Sequence, residues 1–337
     1  LIVKLQGNRV YRSYKGGEHF NQFFGTTEQF ENTFPEEWIA STVTANNPGR
    51  IVKNEGLSKT LDGKLLIDLI SENPKAMLGA KQVERFGERM SILVKLLDCA
   101  ERLVIQVHPT IEFAKKHFHS AFGKTECWYF LKTQEAASVY IGFQKGITRE
   151  TWVNCFEKQD TEAMLHLMHQ IPVKQGDVLF VEGGVPHAIG SGCFLLELQE
   201  PTDLMVIPER VTPSGRLLPE EKLHGGLGFQ TMFDCFSYEG VSKEQIIEIC
   251  KVPAIKRTDN VTELVGKNTT DQFQMLELSV AGNMQYSFFD SYAIAIIMEG
   301  TGTIGGVSTK QGDRLFLSAD SGNMLWSGTF RALVCLP

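Results

Sequence analysis

The sequence has no Cys-x-x-Cys pair, no cluster of basic residues, no low-complexity tract and no apolar run near the ~20 residues that a membrane-spanning helix needs. Each absence removes a class of function. Seven cysteines lie scattered at 99, 127, 155, 193, 235, 250 and 335. An odd number without paired spacing reads as reduced thiols packed as small apolar residues, which points to the cytoplasm rather than to a disulfide framework. The net charge is −7 with no basic patch, which argues against nucleic acid as a partner. Any anionic ligand must therefore be held by a few local cations. Leu1-Ile2-Val3 lacks the basic start and the long apolar core of a signal peptide, and no membrane partner is expected. The glycines of Gly225-Gly226-Leu227-Gly228 follow no strand-then-helix pattern, so they do not read as a phosphate-binding loop.

With 337 residues, 42% of them hydrophobic and 22% charged, the chain can fill two packed globular domains. Residues 1 to about 60 are rich in Gly, Asn and Thr and read as strands and loops. Helical spacing runs from Leu66 to Asn73, with Pro74 as the stop, and more weakly from Lys81 to Phe86. Further helices are expected over Ile111–His119, over two stretches of Thr148–His169 divided near Gln159–Thr161, and over Ser242–Lys251 with Ser242 as N-cap. His117, His119, His166 and His169 lie in these helical segments without a sequence partner, and read as solvent-facing polar residues. The remainder, above all 173–198 and 262–337, reads as β.

Four potential metal ligands stand out: Gln106, His108, Glu126 and His187. Gln106 and His108 are two apart in the apolar run Leu103-Val104-Ile105-Gln106-Val107-His108, so a strand points both to one face. Glu126 opens the aromatic, strand-like Glu126-Cys127-Trp128-Tyr129-Phe130. His187 ends a strand and a Gly183-Gly184-Val185-Pro186 turn. A lone histidine at a strand end is usually a surface or hydrogen-bonded residue. Two imidazoles, a carboxylate and an amide oxygen together suit a borderline divalent metal with open positions, zinc first, at one per chain. A closed structural zinc site would use thiolates instead.

The segment Lys174-Gln175-Gly176-Asp177-Val178-Leu179-Phe180-Val181 recurs as Lys310-Gln311-Gly312-Asp313-Arg314-Leu315-Phe316-Leu317. At that offset Asn323 stands where His187 stands. Two related β-units follow, of which only the first carries metal residues: a metal-bearing unit at 1–235 and a degenerate one at 236–337.

Strand, glycine turn and His-bearing strand in tandem resemble the cupin superfamily of small jelly-roll barrels. The segments Leu93–Asp98, Ile105–Pro109, Gly123–Tyr129, Val185–Ile189 and Glu36-Glu37-Trp38 are similar to those of type I mannose-6-phosphate isomerases, over roughly residues 10 to 215. The resemblance implies a mainly β fold with helical insertions and two cupin (double-stranded β-helix) units, the second degenerate. It implies zinc held by Gln106, His108, Glu126 and His187, and interconversion of mannose 6-phosphate and fructose 6-phosphate through a cis-enediolate. Glu197 matches the family's carboxylate, the expected proton carrier. Lys95 matches a lysine near the phosphate, and Glu36 is a further acid expected near the pocket. Lys124, two residues before Glu126 and on the same strand face, is expected to contact substrate oxygens or to tune the ligand charge. Read without that match, Glu197 is as well explained as an outward-facing strand residue, and Lys95 better as a surface lysine.

Two positions depart from the family pattern. Ile207 stands where the family has an arginine and Val104 where it has a phosphate-binding serine. Arg210 or Arg216, in the following loop, would have to supply the missing charge, and Arg210 is the expected residue. The departures keep open a sugar-binding cupin without turnover, or an isomerase of another sugar. An iron oxygenase is a further possibility that the glutamine ligand makes less attractive.

Overall fold

The computed structural model describes residues 1–337. Strands hold 34% of the residues and helices 21%, so β layers make the frame and helices are inserted between them. The result is a cupin-type β fold with helical insertions. One antiparallel sheet runs in the order Arg9–Val10, Glu36–Ile39, Leu93–Cys99, Cys193–Gln199, Glu126–Thr133, Val178–Val181. A three-stranded sheet of Met168–Pro172, Ser138–Phe143 and His187–Ile189 lies opposite. The space between them is filled by Trp128, Phe130, Leu179, Val181 and Leu195 from the first sheet against Val139, Ile141, Ile171 and Ile189 from the second. That interior is the core of the first barrel.

The central strands are apolar in nearly every position because both faces are covered. On Cys193–Gln199, Leu195 faces the barrel interior while Phe194, Leu196 and Leu198 face a larger core on the other side. That larger core includes Ile294, Ile296, Leu333 and Cys335 of the C-terminal sheet, together with Leu66, Ile70, Met77 and Leu78 from the inserted helices. The two halves therefore share their largest apolar core. Burial at ~25 cal/mol per Å² makes such a shared core the main force holding them together.

The C-terminal sheet is built on the long pairing of Gln274–Tyr286 with Met324–Leu336, which in turn pairs with Ala293–Ile304. Its outermost strand comes from the other end of the chain: Ile2–Lys4 pairs antiparallel with Leu315–Leu317. The first strand thus lies in the C-terminal sheet, although the sequence assigns residues 1–235 to the metal-bearing unit. Glu37, fully buried, adds a polar tie between the halves by pairing with Arg314 at 2.9 Å and Arg9 at 3.5 Å.

The helical readings need three corrections. Phe20–Phe24 forms a short helix in the segment read as strands and loops, held by burial of Phe20 and Phe24 and closed by a left-handed Gly25, with no side-chain cap at its start. Pro74 does not close the helical region but starts a second helix, Pro74–Leu78, after the Leu66–Glu72 helix. Proline suits the first helical position, where its missing N–H is unneeded. His169 is not on a helix: the helix ends at His166 and Met168–Pro172 is a strand. There His169 is buried, with Nε2 on the Val241 carbonyl at 3.0 Å. Tertiary pairing with Ser138–Phe143 overrode the local helical spacing. The Lys243–Cys250 helix has the expected Ser242 cap, completed to a capping box by Gln245.

Candidate metal centre and cleft

The period of two along the central strands places the site. On the barrel-facing side of Cys193–Gln199 the sequence runs Cys193, Leu195, Glu197, Gln199, apolar at one end and polar at the other. The neighbouring strand reads Cys99, Leu97, Lys95 in the same direction, and the register sets Glu197 opposite Lys95 and Gln199 opposite Glu126. One end of the barrel interior is therefore lined with charge. The opposite wall supplies the rest, because Gln106 and His187 exchange backbone hydrogen bonds of 2.9 Å in an isolated antiparallel bridge.

His108, Glu126 and His187 converge there, and their ligand atoms all lie within 4.8 Å of one another, fully buried. His108 Nε2 is 3.2 Å from Glu126 Oε2 and His187 Nε2 is 3.3 Å from Glu126 Oε1. The two Nδ1 atoms face carbonyls, of Leu204 at 2.9 Å and Val185 at 3.0 Å. A carbonyl can only accept, so each Nδ1 carries the proton and each Nε2 lone pair faces the carboxylate. Burial presses both imidazoles towards the neutral form, His108 as far as about 3. Burial alone would push the Glu126 carboxyl up, but Lys124 and the two imidazoles hold it well below the ordinary range. Two neutral lone pairs and an anion so arranged suit a cation between them; the Lys124 ammonium meets His108 Nε2 and Glu126 from one side, and His187 Nε2 is left with no donor. Glu126 Oε2 and His187 Nε2 are buried without a hydrogen-bond partner. The donor set fits a divalent metal ion on these grounds.

Supporting groups fix the ligand segments. Trp128 Nε1 donates to Glu126 Oε1 at 3.0 Å. Glu200 accepts from the backbone N–H groups of Gly123 and Thr125, which pins the turn before Glu126. Glu209 binds Arg102 through both oxygens and accepts from the Ile105 N–H, anchoring the run that leads to Gln106 and His108.

Gln106, Lys124, Lys95, Glu197 and Glu36 all line one cleft beside these ligands. Lys124 Nζ donates to His108 Nε2 at 2.7 Å and lies 3.4 Å from Glu126 Oε2. Lys95 Nζ is bound to Glu197 at 3.0 Å and to Gln199 at 2.6 Å. Burial raises the Glu197 carboxyl above its ordinary value against the pull of Lys95. Glu36 is a different kind of acid. It accepts from Tyr14, Trp38 and Arg12 at 3.0, 2.7 and 2.9 Å. Burial works to raise it, yet Arg12, Lys95 and these hydrogen bonds hold it at about 2. Its lone pairs are spent on the protein, so it orients Arg12 and Tyr14.

Arg210 is not brought to the cleft, contrary to the expectation from sequence. Its guanidinium lies over the rings of Phe156 and Phe229, 5.0 and 4.9 Å from their centroids, and 3.7 Å from Glu220. Its backbone N–H donates to Gln159 at 2.7 Å, and the side chain is held by the two aromatic faces and Glu220. Arg216 sits at the surface against Tyr11. Val104 and Ile207, the two departures from the family pattern, pack together with Leu218 and Leu223 as one apolar patch in the cleft wall.

Sequence reasoning missed Arg12, Asp203 and Lys222. Arg12 reaches Asp203 at 3.1 Å across most of the chain length, a pairing with no local signal. Lys222 stands on the short helix Glu220–His224 and lines the cleft.

The chain is similar to known proteins in sequence and in overall fold. Residues 21–135 match the family described as phosphomannose isomerase type I, catalytic domain. A probable mannose-6-phosphate isomerase of Bacillus subtilis is 26% identical over 326 residues, 96% of this chain and 95% of that protein. The mannose-6-phosphate isomerase of Streptococcus mutans is 31% identical over 200 residues, 58% of this chain and 57% of its own. Among solved structures, a mannose 6-phosphate isomerase of Bacillus subtilis superposes with a TM-score of 0.78 at 23% identity, over 99% of both chains. A putative mannosephosphate isomerase of Archaeoglobus fulgidus does so at 0.73 and 19%, over 99% of this chain and 96% of that one.

Proposed function

We propose that this relative of the type I phosphomannose isomerases is itself a zinc-dependent aldose–ketose isomerase, interconverting mannose 6-phosphate and fructose 6-phosphate through a cis-enediolate. The observation that carries the reading is a buried His108–Glu126–His187 set able to hold a metal ion, touched by Lys124 of a cleft that is also lined by Gln106 and by a buried carboxyl, Glu197, raised above its ordinary range. Gln106, His108, Glu126 and His187 would hold the ion. Two imidazoles, one carboxylate and one amide oxygen favour zinc. Bound there, it supplies Lewis acidity toward the oxygen that gains negative charge.

The chain's own residues do the rest. Glu197 takes the proton from one of the two adjacent sugar carbons and returns it to the other. A carboxyl raised by burial is a stronger base than one in water, and Lys95 holds it in a fixed orientation. Lys124, aimed at the ligand donors, offers its ammonium to the sugar oxygens on the same side. Glu36 keeps Arg12 and Tyr14 in place and stays ionised throughout. Seven free cysteines suit a reducing compartment such as the cytoplasm, and no helix is long and apolar enough to cross a membrane.

The test is to incubate zinc-loaded protein with fructose 6-phosphate in deuterated water. Mannose 6-phosphate carrying deuterium at C2 supports the isomerase. The apolar patch of Val104 and Ile207 favours a second reading, binding without turnover or action on another sugar. Tight binding with no isomer and no deuterium exchange would select it.

A further inference from the structure

Four cations line the cleft, Arg12, Lys95, Lys124 and Lys222. Three are engaged with carboxylates: Arg12 with Glu36 and Asp203, Lys95 with Glu197, Lys124 with Glu126. Lys222 forms no ion pair. Its surroundings are mixed in sign, with Arg12 and Arg216 near it as well as Asp203 and Glu36. Burial presses its ammonium down to about 8, a cost that a protein seldom carries without a partner for the charge. The backbone holds it in place. Ile207 N–H donates to the Leu223 carbonyl at 2.7 Å, and Leu218 and Leu223 are buried against Ile207 and Val104. The lysine thus stands beside the apolar patch with its helix fixed, so little ordering is left to pay on binding. Ser13 and Thr212 bring hydroxyls to the same cleft.

We propose that Lys222 is the residue that grips the anionic end of the substrate, the phosphate of an open-chain sugar phosphate whose reacting carbons lie toward His108, Glu126 and Glu197. The assignment rests on the reading of the cleft as a sugar-phosphate site, and deepens it by naming the specificity-determining cation. It also accounts for the outward position of Arg210: the cleft has its free cation from another element.

The experiment compares zinc-loaded wild type with Lys222→Met and Lys222→Arg. Titration calorimetry with mannose 6-phosphate and with inorganic phosphate reads binding directly, whether or not turnover occurs. Steady-state kinetics add the ratio of kcat/KM for mannose 6-phosphate to that for mannose. Loss of one charge-assisted hydrogen bond should weaken phosphate-ligand binding by about 10–100-fold in Lys222→Met. The kinetic ratio should fall by the same factor, and Lys222→Arg should recover most of both. Binding within about twofold of wild type in Lys222→Met, a range worth under ~0.5 kcal/mol, overturns the assignment. So does an equal loss on mannose, which would mark a general defect of the cleft. If the wild type binds the phosphate ligands through Lys222 but turns nothing over, the grip stands and the isomerase reading falls.

Discussion

The two β-units contain the same turn and use it differently. In the first, the Lys174 N–H donates to Asp177 Oδ2 at 3.1 Å and the Asp177 N–H to the Lys174 carbonyl at 3.0 Å. In the second, Lys310 and Asp313 repeat both bonds at 2.9 and 3.0 Å. Gly176 and Gly312 sit at φ 87° and 83°, and each turn feeds a four-residue strand. Past that strand the units diverge. The first presents His187 to Glu126 and His108, whereas the second reaches Asn323, exposed beside the strand Met324–Leu336. No histidine follows His224 in the chain. A repeated turn and strand preserve the scaffold, while the chemistry depends on a few side chains brought in from elsewhere.

The largest break in the comparison should come from removing His187. His187→Ala should abolish stoichiometric zinc in elemental analysis and with it the activity. Partners one shell out are worth about 10–100-fold in metal affinity, so a direct ligand should exceed that. The β circular-dichroism signal should survive, because an apolar core already holds all three ligand segments. The reciprocal change, Asn323→His, should add no second equivalent of zinc, since one imidazole without its carboxylate is no site.

Next is Glu197→Gln. An amide of the same shape keeps the contact with Lys95 but cannot carry the proton, so turnover should fall by ~10²–10⁴-fold with substrate affinity little changed. A fall below about tenfold on that scale in steady-state kinetics would make Glu197 structural.

The paired turns allow a finer test. A left-handed conformation disfavours any Cβ, so Gly176→Ala should cost about 1 kcal/mol. Nothing lies within 4 Å of a Cβ there, whereas at Gly312 it would meet the Phe24 Cα at 2.8 Å. Gly312→Ala should therefore cost on the order of 2–4 kcal/mol, read from denaturant midpoints. Equal costs would mean that the Phe20–Phe24 helix yields freely.

The smallest effect is one of pH. The first cleft holds a cation pushed by burial to about 8, facing Arg12, Asp203, Arg216 and Glu36. Below that pH Lys222 is charged and holds phosphate. As pH rises through about 8 the charge is lost and KM for the sugar phosphate should climb. The profile of Lys222→Met should lack this limb.

The His108–Glu126–His187 group and the repeat were legible because both rest on local signals: a period of two, a glycine turn, a histidine where a strand ends. Lys95 and Glu197 were legible only through family resemblance. Their pairing depends on register, which sets them opposite one another on adjacent strands, and no spacing in the sequence reveals a register between segments about a hundred residues apart. Arg210 was misplaced for the same reason. Sequence proximity to Ile207 suggested the cleft, but the guanidinium lies over Phe156 and Phe229, rings brought there from elsewhere in the chain. His169 followed its strand partner rather than its local helical pattern.

By itself the sequence determined the β character, the tandem turn and the donor chemistry, since each is a property of neighbouring residues. Only the tertiary structure decided which cations are spent on carboxylates and which one is free. It also decided that the first strand completes the last sheet, and that Glu36 is locked while Glu197 is raised. Those outcomes depend on burial and on partners far apart in the chain, where desolvation sets the cost of every unpaired charge.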